Sequence, residues 1–397
     1  MPDTMSTDSA VTAVPAQRAT VAPPAAVGAQ SWRRSFGQGA LVWVATHLVF
    51  VIASVVHHAL SPGGQPGLLA WRQWDAWSFE RIAASGYGNA DGDTAFFPLY
   101  PLLAHLVDAA LPGDVLFALL VVSNLCGYGA LVLLHRLVAT EAGAVVADRT
   151  ILLFGVFPTA YFLAAPYNHS LFLLLTLGFL YAVRRQAWWL AAVLGALASG
   201  TRSVGVLLVL PFAFEYLRVR GYRVRLVRPD AAWILAIPAG LVAYAAYCSA
   251  RLGDPLAFAH AQSLSTWDRG LSWPGQVLWD TVKGLGDSSY PLLFDLAGTL
   301  LGIALLVGCV WGPWALRRDQ WVLPVAAAPI LLLPLFVPSG QDNPLLSNAR
   351  LLLDCAMLFV VLGKALSRPA AERLYVPVAL SLQLGLTLLY LRGDWTF

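Results

Sequence analysis

Apolar residues run along this chain in long blocks, without the strict alternation of a half-buried strand or the single stripe of a soluble helix. The first block, residues 40–60, has about the twenty residues that cross a hydrocarbon core. A second follows at 114–138. Residues 151–185 hold two shorter runs separated by Ala165-Pro166-Tyr167-Asn168-His169, and residues 188–217 two more broken near Gly200-Thr201-Arg202-Ser203. Both pairs read as helical hairpins, since broken backbone at membrane depth is tolerated where protein surrounds it. Single spans are then expected at 231–250, 291–316, 321–338, 350–366 and 374–391. The pattern predicts an all-α polytopic membrane protein with about eleven transmembrane helices, the four short ones included.

Composition agrees. The 397 residues are 58% hydrophobic and 12% charged, with mean hydropathy +0.66, so most of the surface faces something other than water. A net charge of +3 gives no reason to expect a nucleic-acid partner. Cys126, Cys248, Cys309 and Cys355 sit in apolar runs without C-x-x-C spacing and read as core fillers.

The placement of charge carries more information than its sum. Arg33 and Arg34 precede the first span, which puts the N-terminus inside. All but eight of the 25 Lys and Arg residues then fall on the cytoplasmic side, the exceptions being Arg72, Arg81, Arg202, Arg251, Arg269, Lys283, Arg350 and Arg392. The run Arg218 to Arg228 reads as a topology signal with some affinity for anionic lipid. Residues 1–33 are expected to be a disordered cytoplasmic tail and 34–397 a single transmembrane domain. Its extracytoplasmic loops are placed at about 61–112, 251–290 and 339–348. The Arg-, Ala-, Gly- and Pro-rich composition suggests a bacterial chain, hence a plasma membrane.

Those three loops hold most of the acidic, His and Trp residues that topology does not explain. The richest stretch is Trp71 to Pro101, too polar to span a bilayer and too aromatic for an ordinary solvated loop. G-x-x-x-x-G-K-[ST], H-E-x-x-H and G-x-S-x-G are all missing from the sequence, so nucleotide hydrolysis, zinc proteolysis and serine-hydrolase chemistry have no support.

At these residues the chain resembles the phosphatidylinositol-glycan class V (PIG-V) type mannosyltransferases, of the GT-C glycosyltransferase superfamily. The matching stretches are Trp74-Asp75, Ile82-Ala83, Gly86-Tyr87 and Ala95-Phe96-Phe97-Pro98-Leu99-Tyr100-Pro101, then Leu197 to Ser203, Gly253 to Phe258, and His260-Ala261-Gln262. Two stretches depart from the family pattern: Pro166 to Ser170, where the family has Ser-Glu, and Arg350-Leu351, where it has Arg-Tyr. The resemblance implies a GT-C-like fold and mannosyl transfer from a polyprenyl-phosphate sugar to an acceptor hydroxyl on the extracytoplasmic face, usually with inversion. Partners would be that donor, a glycolipid or glycan acceptor, and membrane lipid. A lipid-linked sugar flippase and a non-catalytic glycolipid-binding scaffold are the competing classes. Transporters, however, tend to show internal repeats and ionisable groups near the midplane.

Inverting transfer needs a base beside the attacking hydroxyl, and the resemblance assigns that role to Asp75. The plainer reading is that Asp75 caps a helix starting at Ala76. A cation must meet the phosphate that leaves. Arg202 is the first candidate, with Arg350, His260 and Gln262 in support, while Trp74, Tyr87 and Tyr100 come with the matched motifs as substrate-side residues. Arg202 could equally brace the break, and Arg350 could simply neutralise Asp354 one helical turn on. Asp91-Gly92-Asp93 has D-x-D spacing, but a Gly-rich turn explains it better than a metal. A divalent cation is compatible with the chemistry, yet no ligand set is predicted. Trp267, Trp273 and Trp279 read as interfacial belt residues.

Overall fold

A computed structural model of the chain describes residues 32–61, 65, 67–88, 92–264, 267–287, 290–340 and 342–394. All regular structure among them is helical. The first half contains α1 (Trp32–Leu60), α2 (Asp75–Ser85), α3 (Leu99–Ala110), α4 (Val115–Ala142), α5 (Ala144–Gly155), α6 (His169–Arg184), α7 (Trp188–Thr201) and α8 (Val209–Val219). The second half adds α9 (Ala239–Leu252), α10 (Ala257–His260), α11 (Pro274–Gly284), α12 (Tyr290–Val310), α13 (Val322–Phe336), α14 (Asn348–Leu351), α15 (Phe359–Ala365) and α16 (Pro369–Arg392).

Among the described residues, four helices are long and apolar enough to cross a membrane: α1, α4, α12 and α16. A fifth span results if the 3₁₀ helix Pro229–Ala236 and α9, bent by 43°, are taken as one. Helix α1 shows why these are membrane helices. Its buried residues Ser35, Gly39, Val42, Thr46, Phe50, Ala53 and His57 follow a three- and four-residue spacing, the stripe that meets α4 and α16. The opposite face is just as apolar, with Leu41, Leu48, Val51, Ile52 and Val55 all exposed. A helix apolar on every side while half exposed requires lipid around it, so the chain is an integral membrane protein. Helix α1 begins at Trp32, which makes residues 32 and 33 helical; the rest of the expected tail lies outside the described residues.

Both expected hairpin regions are broken, but the first break starts earlier than the pattern suggests, because α5 ends at Gly155 and most of the first expected run is not α-helical. Residues 156–168 separate α5 from α6, and α7 ends where Arg202 turns extended before the 3₁₀ helix Ser203–Leu208. Because α6, α7, α13 and α15 are short, the number of full crossings depends on how each is tilted in the bilayer. The far end of α6 is tied down by charge. Arg184 donates to Glu141 on α4 at 2.6 Å and to Glu215 on α8 at 2.7 Å, and Glu215 also accepts from Arg218 at 2.6 Å. The near end of α6 carries His169. Sixteen residues therefore set this ionic cluster about 24 Å from the cavity described next.

Candidate functional site

The floor of the cavity is α2. Its residues Ala76, Phe79, Ile82 and Ala83 are buried, a three- and four-residue spacing that fixes the helix face against α3 and α4. Trp74 precedes it at φ 53°, a left-handed angle costly for a bulky residue, and this turn sets Asp75 as the first helical residue. Asp75 does not cap the helix. Its Oδ2 lies 2.9 Å from Nη2 of Arg350, and no other hydrogen bond to its carboxylate is seen among the described residues.

Arg350 reaches Asp75 from a short segment held from behind. Asp295 on α12 accepts from the backbone of Ala349 at 2.8 Å and from Asn343 at 2.6 Å, while Asn348 bonds Thr299. Ser347, at φ 70°, makes the turn that starts α14. The Arg350 guanidinium lies 5.3 Å from the ring centres of both Phe162 and Tyr167. These aromatic faces favour a cation and exclude water from one side of it.

A second pair stands beside the first. Arg202 donates to Asp354 at 2.8 Å, and the other Asp354 oxygen is 3.0 Å from Nδ1 of His169. Nδ1 also lies 3.0 Å from Arg202, but one ring nitrogen cannot both donate to the carboxylate and accept from the guanidinium. The carboxylate is the stronger acceptor, so the proton is assigned to Nδ1 and Asp354 is shared by two donors. Asp354 is fully buried, which makes this sharing obligatory.

Between the pairs lies a cavity of about 290 Å³. Asp75, Phe79, Phe96, Asn168, His169, Arg202, Gln262, Trp267, Arg269 and Arg350 are among its walls. Arg269, the third guanidinium, arrives on the loop between α10 and α11. It donates to the backbone oxygen of Val337 at 3.3 Å, but has no carboxylate partner among the described residues and its Nε is buried without an acceptor. Burial above all, then the guanidiniums of Arg350 and Arg202, lower its pKa to about 10 against the pull of Asp75. It stays protonated at neutral pH. The arrangement combines a carboxylate open to the cavity with an excess of positive charge, suited to accepting a proton from one ligand while holding an anionic group of another.

Of the sequence candidates, Asp75, Arg202, Gln262 and Arg350 come together here. Four do not reach the cavity wall. Tyr100 is fully buried and spends its hydroxyl on Leu119 and Ser123; Tyr87 bonds the backbone of Phe96 at 2.6 Å and packs on Tyr244. His260 is exposed and paired with Asp254 at 2.7 Å, and Trp74 points to the surface. The expected Arg350–Asp354 neutralisation is also replaced, because each finds a partner from a distant part of the chain. Asp91 lies outside the described residues; Asp93 is buried and held by Arg81 at 2.5 Å and 2.8 Å. No cluster of three or more His, Cys, Asp or Glu that would suit a metal occurs among the described residues. Trp267 departs from the belt reading, since it lines the cavity and meets Phe96 edge-on at 5.9 Å. Asp354, His169 and Arg269 were not among the sequence candidates. Only Arg269's place among the eight exceptional cations gave a signal.

The fold and site define a helical integral membrane protein with a cavity lined by one carboxylate, Asp75, and three arginines, Arg202, Arg269 and Arg350. Residues 66–232 match the mannosyltransferase (PIG-V) family, and over this stretch, which holds Asp75 and Arg202, the chain is PIG-V-like. It is 29% identical over 322 residues to mouse GPI alpha-1,6-mannosyltransferase 2, an alignment covering 65% of this chain and 62% of that protein. The chain thus spans less than two thirds of this curated relative. The crystal structure of an Archaeoglobus fulgidus oligosaccharyltransferase, in complex with Zn and sulfate, superposes with a TM-score of 0.38 at 13% identity, covering 88% of this chain and 53% of that one.

Proposed function

We propose that this protein is a membrane mannosyltransferase of GT-C type. It moves a mannosyl group from a polyprenyl-phosphate donor to a hydroxyl of a glycolipid or glycan on the extracytoplasmic face. The observation that carries the reading is the Asp75 carboxylate, fixed by Arg350 and without another partner among the described residues, at the wall of a cavity rich in guanidinium.

In the reaction the acceptor oxygen forms a bond to the anomeric carbon as the bond from that carbon to the phosphate oxygen breaks. The electron pair leaves with the phosphate. Asp75 takes the proton of the attacking hydroxyl, and Arg350 orients the carboxylate for it. The cationic wall meets the charge that grows on the phosphate. Arg202 apart, the basic residues Arg184 and Arg218 stand in the last turns of α6 and α8, and Arg185 and Arg220 follow them, as the positive-inside bias requires if the cavity opens outward.

Purified full-length protein, given labelled polyprenyl-phosphate mannose and a glycolipid extract, is expected to move label into the glycolipid fraction. Label that merely crosses a vesicle unchanged, or is bound and never transferred, would contradict the reading in favour of a flippase or a scaffold.

A further inference from the structure

Two of the three guanidiniums in the cavity are already neutralised, Arg202 by Asp354 and Arg350 by Asp75. Arg269 is not. Among the described residues its charge is the one in the cavity without a carboxylate partner, and its buried Nε is a donor with no acceptor.

The loop that carries it is built to hold a position. Asp268 sits at φ 44°, strained for a non-glycine residue, and so turns the next residue. Gly340 donates its N–H to the Asp268 carbonyl at 2.8 Å, and Ser339 bonds the carbonyl of Trp267 at 2.8 Å. The backbone of Arg269 itself donates to Gln262 at 3.0 Å, tying the loop to another cavity residue. Gly340 is needed at this contact, because a Cβ there would lie 2.7 Å from the Asp268 carbonyl oxygen and 2.2 Å from its Oδ2.

From this geometry we infer that Arg269 is the residue that binds the phosphate of the lipid donor, held in place by the strained turn at Asp268 and its contact with Gly340. The inference rests on the donor reading above. Arg202 and Arg350 then act as braced neighbours whose charge supports the site, and Arg269 makes the new charge-assisted hydrogen bond.

The test is equilibrium binding of farnesyl phosphate, farnesol and inorganic phosphate to full-length protein in detergent. Wild type is expected to bind farnesyl phosphate more tightly than either of the others. Arg269→Gln should weaken farnesyl phosphate by about tenfold to a hundredfold, with farnesol unaffected. Arg269→Lys keeps the charge without the fork and should fall between. Gly340→Ala, which alters no charge, should weaken farnesyl phosphate as well by displacing the turn.

Unchanged farnesyl phosphate affinity in the Arg269 variants would overturn the assignment, as would wild-type affinity equal for farnesyl phosphate and farnesol. Inorganic phosphate binding as tightly as farnesyl phosphate would also overturn it, by making the site one for the free ion. If wild type transfers mannose while Arg269→Gln binds normally, only this inference fails. If binding depends on Arg269 but no mannose is transferred, the enzyme reading fails instead.

Discussion

At the scale of single residues, the site is a matter of who pairs with whom. Arg350 and Asp354 stand four apart on one helical segment, the spacing at which opposite charges stabilise a helix. Each instead pairs with a residue far away in sequence, Arg350 with Asp75 and Asp354 with Arg202 and His169. The exchange commits two carboxylates to different duties, one open to the cavity and one fully buried. Arg202→Gln is expected to expose the difference. It leaves Asp354 with His169 alone, and loss of one partner from a buried pair costs about 3 kcal/mol. Thermal unfolding in detergent should therefore shift clearly downward; an unchanged transition would mean that Asp354 does not depend on Arg202. Asp75, Arg202 and Arg350 were legible in the sequence because each is an ionisable residue where topology has no use for one. Their pairing was not, because contacts across 152 or more positions are set by tertiary packing.

At the scale of elements, the site depends on how closely two short helices approach. Helices α7 and α9 meet at Gly200 and Gly240, where a Cβ on Gly240 would lie 2.1 Å from the Ala196 carbonyl oxygen and 2.3 Å from the Gly200 nitrogen. Neither atom can yield, since both belong to backbone. Gly240→Ala should push α9 off the C-terminal end of α7, the end that presents Arg202, and lower both stability and activity. Gly385→Ala in α16 is the matching control: its Cβ meets nothing within 4 Å, and replacing a helical glycine gains about 0.5–1 kcal/mol. Thermal unfolding of the two variants should move in opposite directions, and a shared direction would count against the packing account. The break near Gly200-Thr201-Arg202-Ser203 was readable from the misfit between a thirty-residue apolar run and the arginines after it. The Asp295 cradle behind α14 was hidden, since a lone aspartate in an apolar run shows its purpose only once Asn343 and Ala349 fold onto it.

At the scale of the whole molecule, charge and apolar surface divide the protein along the axis of α6. One end carries the Arg184 cluster, which locks helix ends; the other carries the cavity, where guanidinium is in excess. The helical class and the membrane setting were evident from block length alone. The number of full crossings was not, because α6, α7, α13 and α15 pack as short segments whose depth no length rule fixes. In the proposed enzyme the cavity end carries the proton transfer at Asp75. The direct measurement is the rate of mannosyl transfer by wild type and Asp75→Asn reconstituted side by side in the same lipid. Asparagine preserves the shape but cannot take the proton, so the rate should fall by about 10²–10⁴-fold with insertion and thermal stability retained. A folded Asp75→Asn protein that transfers mannose within about threefold of wild type, far less than loss of a general base removes, would contradict the assignment of Asp75 as the base.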